Sequence, residues 1–272
     1  MRVSWKLGRF AGIDLYLHPT FLLALAYFGG ITHGSMAMIL FILLVFACVV
    51  LHEFGHALTA RRFGIETVDI TIYPIGGVAR LTRLPRAAGA ELLIALAGPA
   101  VNGVIALALW GGVALLLDGG MSSNDGVIEF CKILLSANVL LGLFNMIPAF
   151  PMDGGRVLRA LLSRRLGRLR ATEIAVVLGR MIVIAFAISL PFWTDDLGTL
   201  FIRLALAAFI YKAAGMELRN VRLQEAVRSP NEQAVQPPPG YVWVLQGDGV
   251  WRLAPAAFSA TVGMNRGGPG WG

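Results

Sequence analysis

Apolar residues in this chain fall in long blocks rather than in alternation. Six blocks read as membrane spans: residues 15–31, 36–60, 88–117, 127–147, 173–193 and 198–217. The hydrocarbon core of a bilayer, about 30 Å thick, takes about 20 helical residues to cross. The first block is the shortest and carries His18-Pro19 near its start, where proline suits a first helical turn. Between the second and third blocks the pattern changes. Thr67, Val68, Ile70, Thr71, Ile72 and Tyr73 favour a strand, Pro74-Ile75-Gly76-Gly77 turns the chain, and Val78 to Leu81 returns it. The expected class is an all-α polytopic membrane protein of about six transmembrane helices, with a small membrane-associated β-hairpin between helices 2 and 3. Residues 1–220 form its core. Residues 221–240, with Pro237, Pro238 and Pro239, read as a stiff cytoplasmic linker, and residues 241–272 as a short hairpin-like stub with a glycine-rich tail.

Composition supports the membrane reading. The chain is 57% apolar and 14% charged with a mean hydropathy of +0.71, whereas soluble domains carry about a quarter charged residues. The net charge of +7 does not point to nucleic acid, because the basic residues alternate with apolar blocks. Arg2, Lys6 and Arg9 precede the first block; Arg61, Arg62, Arg80 and Arg83 follow the second. Arg156 to Arg170 follow the fourth, and Arg219, Arg222 and Arg228 the sixth. The remaining connections carry Asp118, Asp125, Asp195 and Asp196 instead. The positive-inside rule then puts both termini in the cytoplasm. Cys48 and Cys131, both in apolar blocks, offer no disulfide framework, and no cleavable signal peptide is evident at the start of the chain.

The chemistry sits at the end of the second block, in His52-Glu53-Phe54-Gly55-His56. On a helix, positions i and i+4 share a face, so His52 and His56 can point at one ion, with Glu53 within reach of a water beside it. Ionisable groups inside a span are costly, and such a cluster is a functional site by default. A catalytic zinc usually has a third protein ligand. Asp118, Asp125, Asp195 and Asp196 lie on the far side of the membrane. Asp153 is the outstanding candidate: it follows the cytoplasmic end of the fourth block, which runs in the same direction as the second. Pro148 and Pro151 exclude a regular helix before it, and Gly154-Gly155 permit a sharp turn after it, so an extended, kinked segment would bring it back into the bundle. Asn102, a polar group near mid-membrane in the third block, wants a partner.

These residues resemble the site-2 protease family of intramembrane zinc metalloproteases. The match rests on His52 to His56, on Ala97-Gly98-Pro99-Ala100-Val101-Asn102, on Pro74 to Val78 and on Asn145 to Arg156. The opening residues resemble the branch without a PDZ domain. The resemblance implies one zinc ion per chain held by His52, His56 and Asp153, with Glu53 as catalytic base. It also implies that Asn145 assists substrate or transition-state binding, Asn102 being the other candidate donor to an oxyanion. The implied activity is cleavage of a single-pass membrane protein in or near its transmembrane segment, within the lipid bilayer of a bacterial or archaeal cell. Nucleic acid is not an expected partner, and the sequence leaves oligomeric state open. The alternative is a membrane metal-ion transporter, which would need ligands spaced along a path across the bilayer; here they are confined to one half.

Overall fold

The computed structural model describes residues 4–31, 35–74, 76–83, 85, 87–190, 193, 196–235, 240–245 and 251–255. Ile75 of the expected hairpin turn, the prolines at 237–239 and the glycine-rich tail lie outside them. The chain divides into two compact units, Met1–Leu218 and Arg219–Gly272.

Strands β1 (Trp5–Phe10) and β2 (Ile13–Leu17) open the first unit, followed by helices α1 (Pro19–Ile31) and α2 (Met36–Arg62). Strands β3 (Thr67–Tyr73) and β4 (Gly76–Leu81) come next. Helices α3 (Ala88–Asp118), α4 (Gly126–Asn145), α5 (Asp153–Leu166), α6 (Arg168–Ser189) and α7 (Leu197–Val235) complete the helical part. Among the described residues, five helices are long and apolar enough to cross a membrane: α2, α3, α4, α6 and residues Leu197–Glu225 of α7. Helix α1 has 13 residues, which at about 1.5 Å each reach only about 20 Å. The start of the block read as the first span, Leu15 to Leu17, belongs to β2 instead.

The expectation of an all-α protein with one hairpin is corrected by the sheet. β3 and β4 do pair antiparallel, but β2 lies parallel to β3 and β1 antiparallel to β2, giving the order β1-β2-β3-β4. Helices α1 and α2 make the crossover that a parallel pair requires. Ile13, Leu15, Ile70 and Ile72 of the sheet pack with Phe21 of α1 and Ala57 of α2 in one buried cluster. The sheet is thereby fixed against the helix that carries both histidines. Asp69, buried in β3, accepts from Arg80 directly across on β4.

A second correction concerns the segment after α4. Residues 146–152 are irregular, with a cis bond between Phe150 and Pro151, but Asp153 is the first residue of α5 rather than part of an extended stretch. Gly154 and Gly155 are helical, and neither has a positive φ. They are small because the Met146 and Ala149 carbonyl groups press against them. Helix α5 is tied down by Arg159, 1% exposed. Its Nε donates to Glu91 Oε1 of α3 at 2.7 Å, and its Nη1 to Glu217 Oε1 of α7 at 2.6 Å. The Arg180 guanidinium of α6 lies over the Tyr211 ring of α7 at 4.5 Å.

In the second unit, residues 221–235, expected to open the linker, are helical; Glu225, Glu232 and Gln233 are good helix formers. Strands β5 (Tyr241–Leu245) and β6 (Trp251–Pro255) pair antiparallel.

Stranding one member of a buried ion pair costs about 3–5 kcal/mol. Glu91→Leu, which removes the Arg159 Nε acceptor and leaves Glu217 as its remaining partner, should therefore lower unfolding stability in detergent by up to about that amount. Denaturant titration showing a loss under about 1 kcal/mol would contradict a supporting role for the pair.

Candidate metal centre

Helix α2 presents His52 and His56 one turn apart on its buried face, 4% and 5% exposed. Their rings stand edge to face with centroids 4.7 Å apart. Asp153, at the first position of α5, meets them from a separate helix. Three ligand-type atoms converge: His52 Nε2, His56 Nε2 and Asp153 Oδ2, each 3.1 Å from the other two. Among the described residues, these three side chains form the group able to hold a metal ion. The site therefore unites the residues that sequence reasoning selected on helix spacing and on membrane side.

The hydrogen bonds behind the rings decide what those atoms are. His56 Nδ1 donates to the Ile94 carbonyl of α3 at 2.6 Å, and a carbonyl can only accept. His52 Nδ1 donates to Asn102 Oδ1 at 2.5 Å. With both rings neutral, the hydrogens sit on Nδ1, and both Nε2 atoms carry bare lone pairs aimed at each other and at a carboxylate. Three acceptors at 3.1 Å with no hydrogen between them repel one another until a cation enters. The donor set of two imidazoles and one carboxylate suits zinc. In a tetrahedral zinc site with bonds of about 2.0 Å, neighbouring donors stand about 3.3 Å apart. The observed triangle fits.

Two glycines make room. A Cβ at Gly98 of α3 would lie 2.6 Å from His52 Nε2 and closer still to His56 Nε2. Gly98, part of the run that carries the family resemblance, thus lies directly against the converging Nε2 atoms. A Cβ at Gly77 would lie 2.6 Å from Glu53 Cγ, so β4 passes directly over the Glu53 side chain. β4 is also an edge of its sheet.

Asn102, fully buried, is committed at both ends, since its Nδ2 donates to Asn138 Oδ1 at 3.0 Å. That leaves it a supporting contact of His52 rather than a group free to meet substrate. Asn138 of α4 was not singled out in the sequence, although an asparagine within an apolar span was a signal in plain view. Asn145, in the last turn of α4, donates to Leu141 O of its own helix at 3.0 Å and is partly buried; this bond does not bring it to the imidazole pair.

Comparison with known proteins shows the family. Residues 40–119 and 111–186 match the profile of peptidase family M50. A zinc metalloprotease of Methanocaldococcus jannaschii is 35% identical over 245 residues, spanning 89% of this chain and 69% of that protein. Rip3 of Mycobacterium tuberculosis is 32% identical over 93% of this chain and 69% of its own length. The solved site-2 protease of M. jannaschii superposes with a TM-score of 0.56 at 34% identity, covering 79% of this chain and 95% of that one. The chain belongs to peptidase family M50, the site-2 proteases. It is a multi-pass membrane protein and a zinc metalloendopeptidase that acts within the membrane. Nothing in these comparisons supports a transporter.

Misplacing a reacting group by about 1 Å can cost about a hundredfold in rate. Gly98→Ala, whose methyl group must push both imidazoles aside, should lose about that much cleavage together with bound zinc. Metal analysis of the purified variant checks it; full zinc occupancy with unchanged cleavage would show that Gly98 does not shape the site.

Proposed function

We propose that His52, His56 and Asp153 are the zinc ligands, that Glu53 is the catalytic base, and that the substrate is the transmembrane segment of a single-pass membrane protein. The observation that carries this reading is the triangle of bare donors at 3.1 Å, with Glu53 next in sequence beneath β4. When bound, zinc supplies Lewis acidity, making water nucleophilic at neutral pH and polarising the scissile carbonyl. The rest falls to the chain. Glu53 takes a proton from the attacking water at a carboxylate oxygen and delivers it to the leaving amine. Asn145, at the end of α4 and eight residues before Asp153 opens α5, donates to the substrate or to the developing oxyanion.

A helical substrate buries its carbonyl groups in its own hydrogen bonds and must unwind before it can be cut. The open edge of β4 can take an extended segment as a further strand, and Gly77 brings that edge against Glu53. Released fragments of such cleavage would include cytoplasmic domains, as in regulated intramembrane proteolysis.

The placement in the cell membrane of a bacterium or archaeon follows the same reasoning. Arginine and lysine flank the chain at both ends of the 1–220 core, and their excess favours the cytoplasm for both termini. Five crossings would leave the ends on opposite sides. We therefore assign α1, short as it is, as the sixth crossing, with the β1–β4 sheet at the membrane surface. Residues 221–240 and 241–272 are then a cytoplasmic linker and stub.

A general base contributes about 10²–10⁴-fold to rate. Glu53→Gln should reduce cleavage of a reconstituted single-span substrate by at least about that factor while leaving zinc content unchanged. Loss of zinc in that variant would make Glu53 a ligand, and retained cleavage would remove it from the mechanism.

A further inference from the structure

Behind His52 runs a chain of buried amides whose direction is set at one end. The Leu134 carbonyl can only accept, and it takes a hydrogen from Asn138 Nδ2 at 3.0 Å. That fixes which way the Asn138 amide faces, since Oδ1 must then point to Asn102 and accept from its Nδ2 at 3.0 Å. The remaining contact of Asn138 Nδ2 is Cys48 Sγ at 3.4 Å. Asn102 in turn is left with Oδ1 toward His52 Nδ1 at 2.5 Å. Asn102 is 0% and Asn138 2% exposed, so bulk water does not compete for these groups.

An asparagine amide alone carries no preference between its two orientations. Turned round, Asn102 would present Nδ2 to His52 Nδ1, which would favour the ring form with hydrogen on Nε2, whose site-facing nitrogen has no lone pair for a metal. We propose that Asn102 and Asn138 act as positioning residues, a polarity relay anchored on the Leu134 carbonyl that holds the His52 hydrogen on Nδ1 and keeps Nε2 bare for zinc. The relay joins three helices, α2, α3 and α4, and rests on the zinc-site reading above. It also accounts for two buried asparagines in apolar helices, where an unpaired amide would be costly.

The test is zinc affinity, measured by competition with a chelating dye on the full chain in detergent. Partners behind a metal-bound histidine typically matter by about 10–100-fold in affinity. Asn138→Leu frees Asn102 to turn and should weaken zinc by at least about tenfold. Adding Asn102→Asp should restore affinity to within about threefold of the parent, because a carboxylate has no donor end to misdirect and favours hydrogen on the facing nitrogen. A structural role for Asn138 alone predicts no such restoration. Melting curves recorded with excess chelator report on the fold apart from the metal. Should Asn138→Leu not be recovered folded, Asn138→Asp takes its place: as a neutral acid it donates to Leu134 O, still accepts from Asn102, and should bind zinc like the parent. Unchanged zinc affinity in folded Asn138→Leu, failure of Asn102→Asp to restore it, or loss of zinc in folded Asn138→Asp overturns the relay. A parent protein that binds no zinc instead overturns the metal-site reading on which it rests.

Discussion

Three lone pairs facing one another across 3.1 Å, with every nearby hydrogen held on the far side of the rings, are the constraint around which this molecule is organised. In a low-dielectric interior such an arrangement is unfavourable without a cation and strongly favourable with one. The Ile94 carbonyl and the Asn102 amide keep the imidazole hydrogens outward. Gly98 leaves space for the rings. Each of these contacts comes from α3, which makes that helix the back wall of the site and α2 its face.

The carboxylate is supplied from a different direction, and the fold spends much of its polar bonding on presenting it. Asp153 begins α5, so its position depends on where that short helix is anchored. Arg159, two turns on, ties α5 to Glu91 of α3 and Glu217 of α7, while Phe150 lies under the guanidinium at 4.9 Å. The sheet makes the opposite wall. Its buried face holds the second helix through Ala57, and its edge strand lies against Glu53. On the proposed reading, positioning of the base and positioning of an extended substrate are both properties of this one strand.

What the sequence discloses follows from how local each feature is. The histidine pair is legible because i and i+4 spacing is a property of a single helix. The side of the membrane on which Asp153 lies is legible because arginine distribution is read along the chain. The strand formers at 67–73 disclose β3. By contrast, β1 and β2 were hidden: Leu15, Tyr16 and Leu17 serve a strand as well as a span, and only the parallel pairing with β3 reveals which. Helix α5 was hidden because adjacent glycines suggest a turn, whereas here they answer to the carbonyl groups packed against them. Asn102 announced that it needed a partner, but the identity of that partner, His52 on one side and Asn138 on the other, is a matter of three helices meeting.

The central claim is most directly tested by X-ray absorption at the zinc edge of the purified protein. The account predicts imidazole scattering from two rings and a light-atom shell of nitrogen and oxygen at about 2.0–2.1 Å. A sulfur shell at about 2.3 Å, which would bring in Cys48, or a spectrum without imidazole scattering, would contradict it.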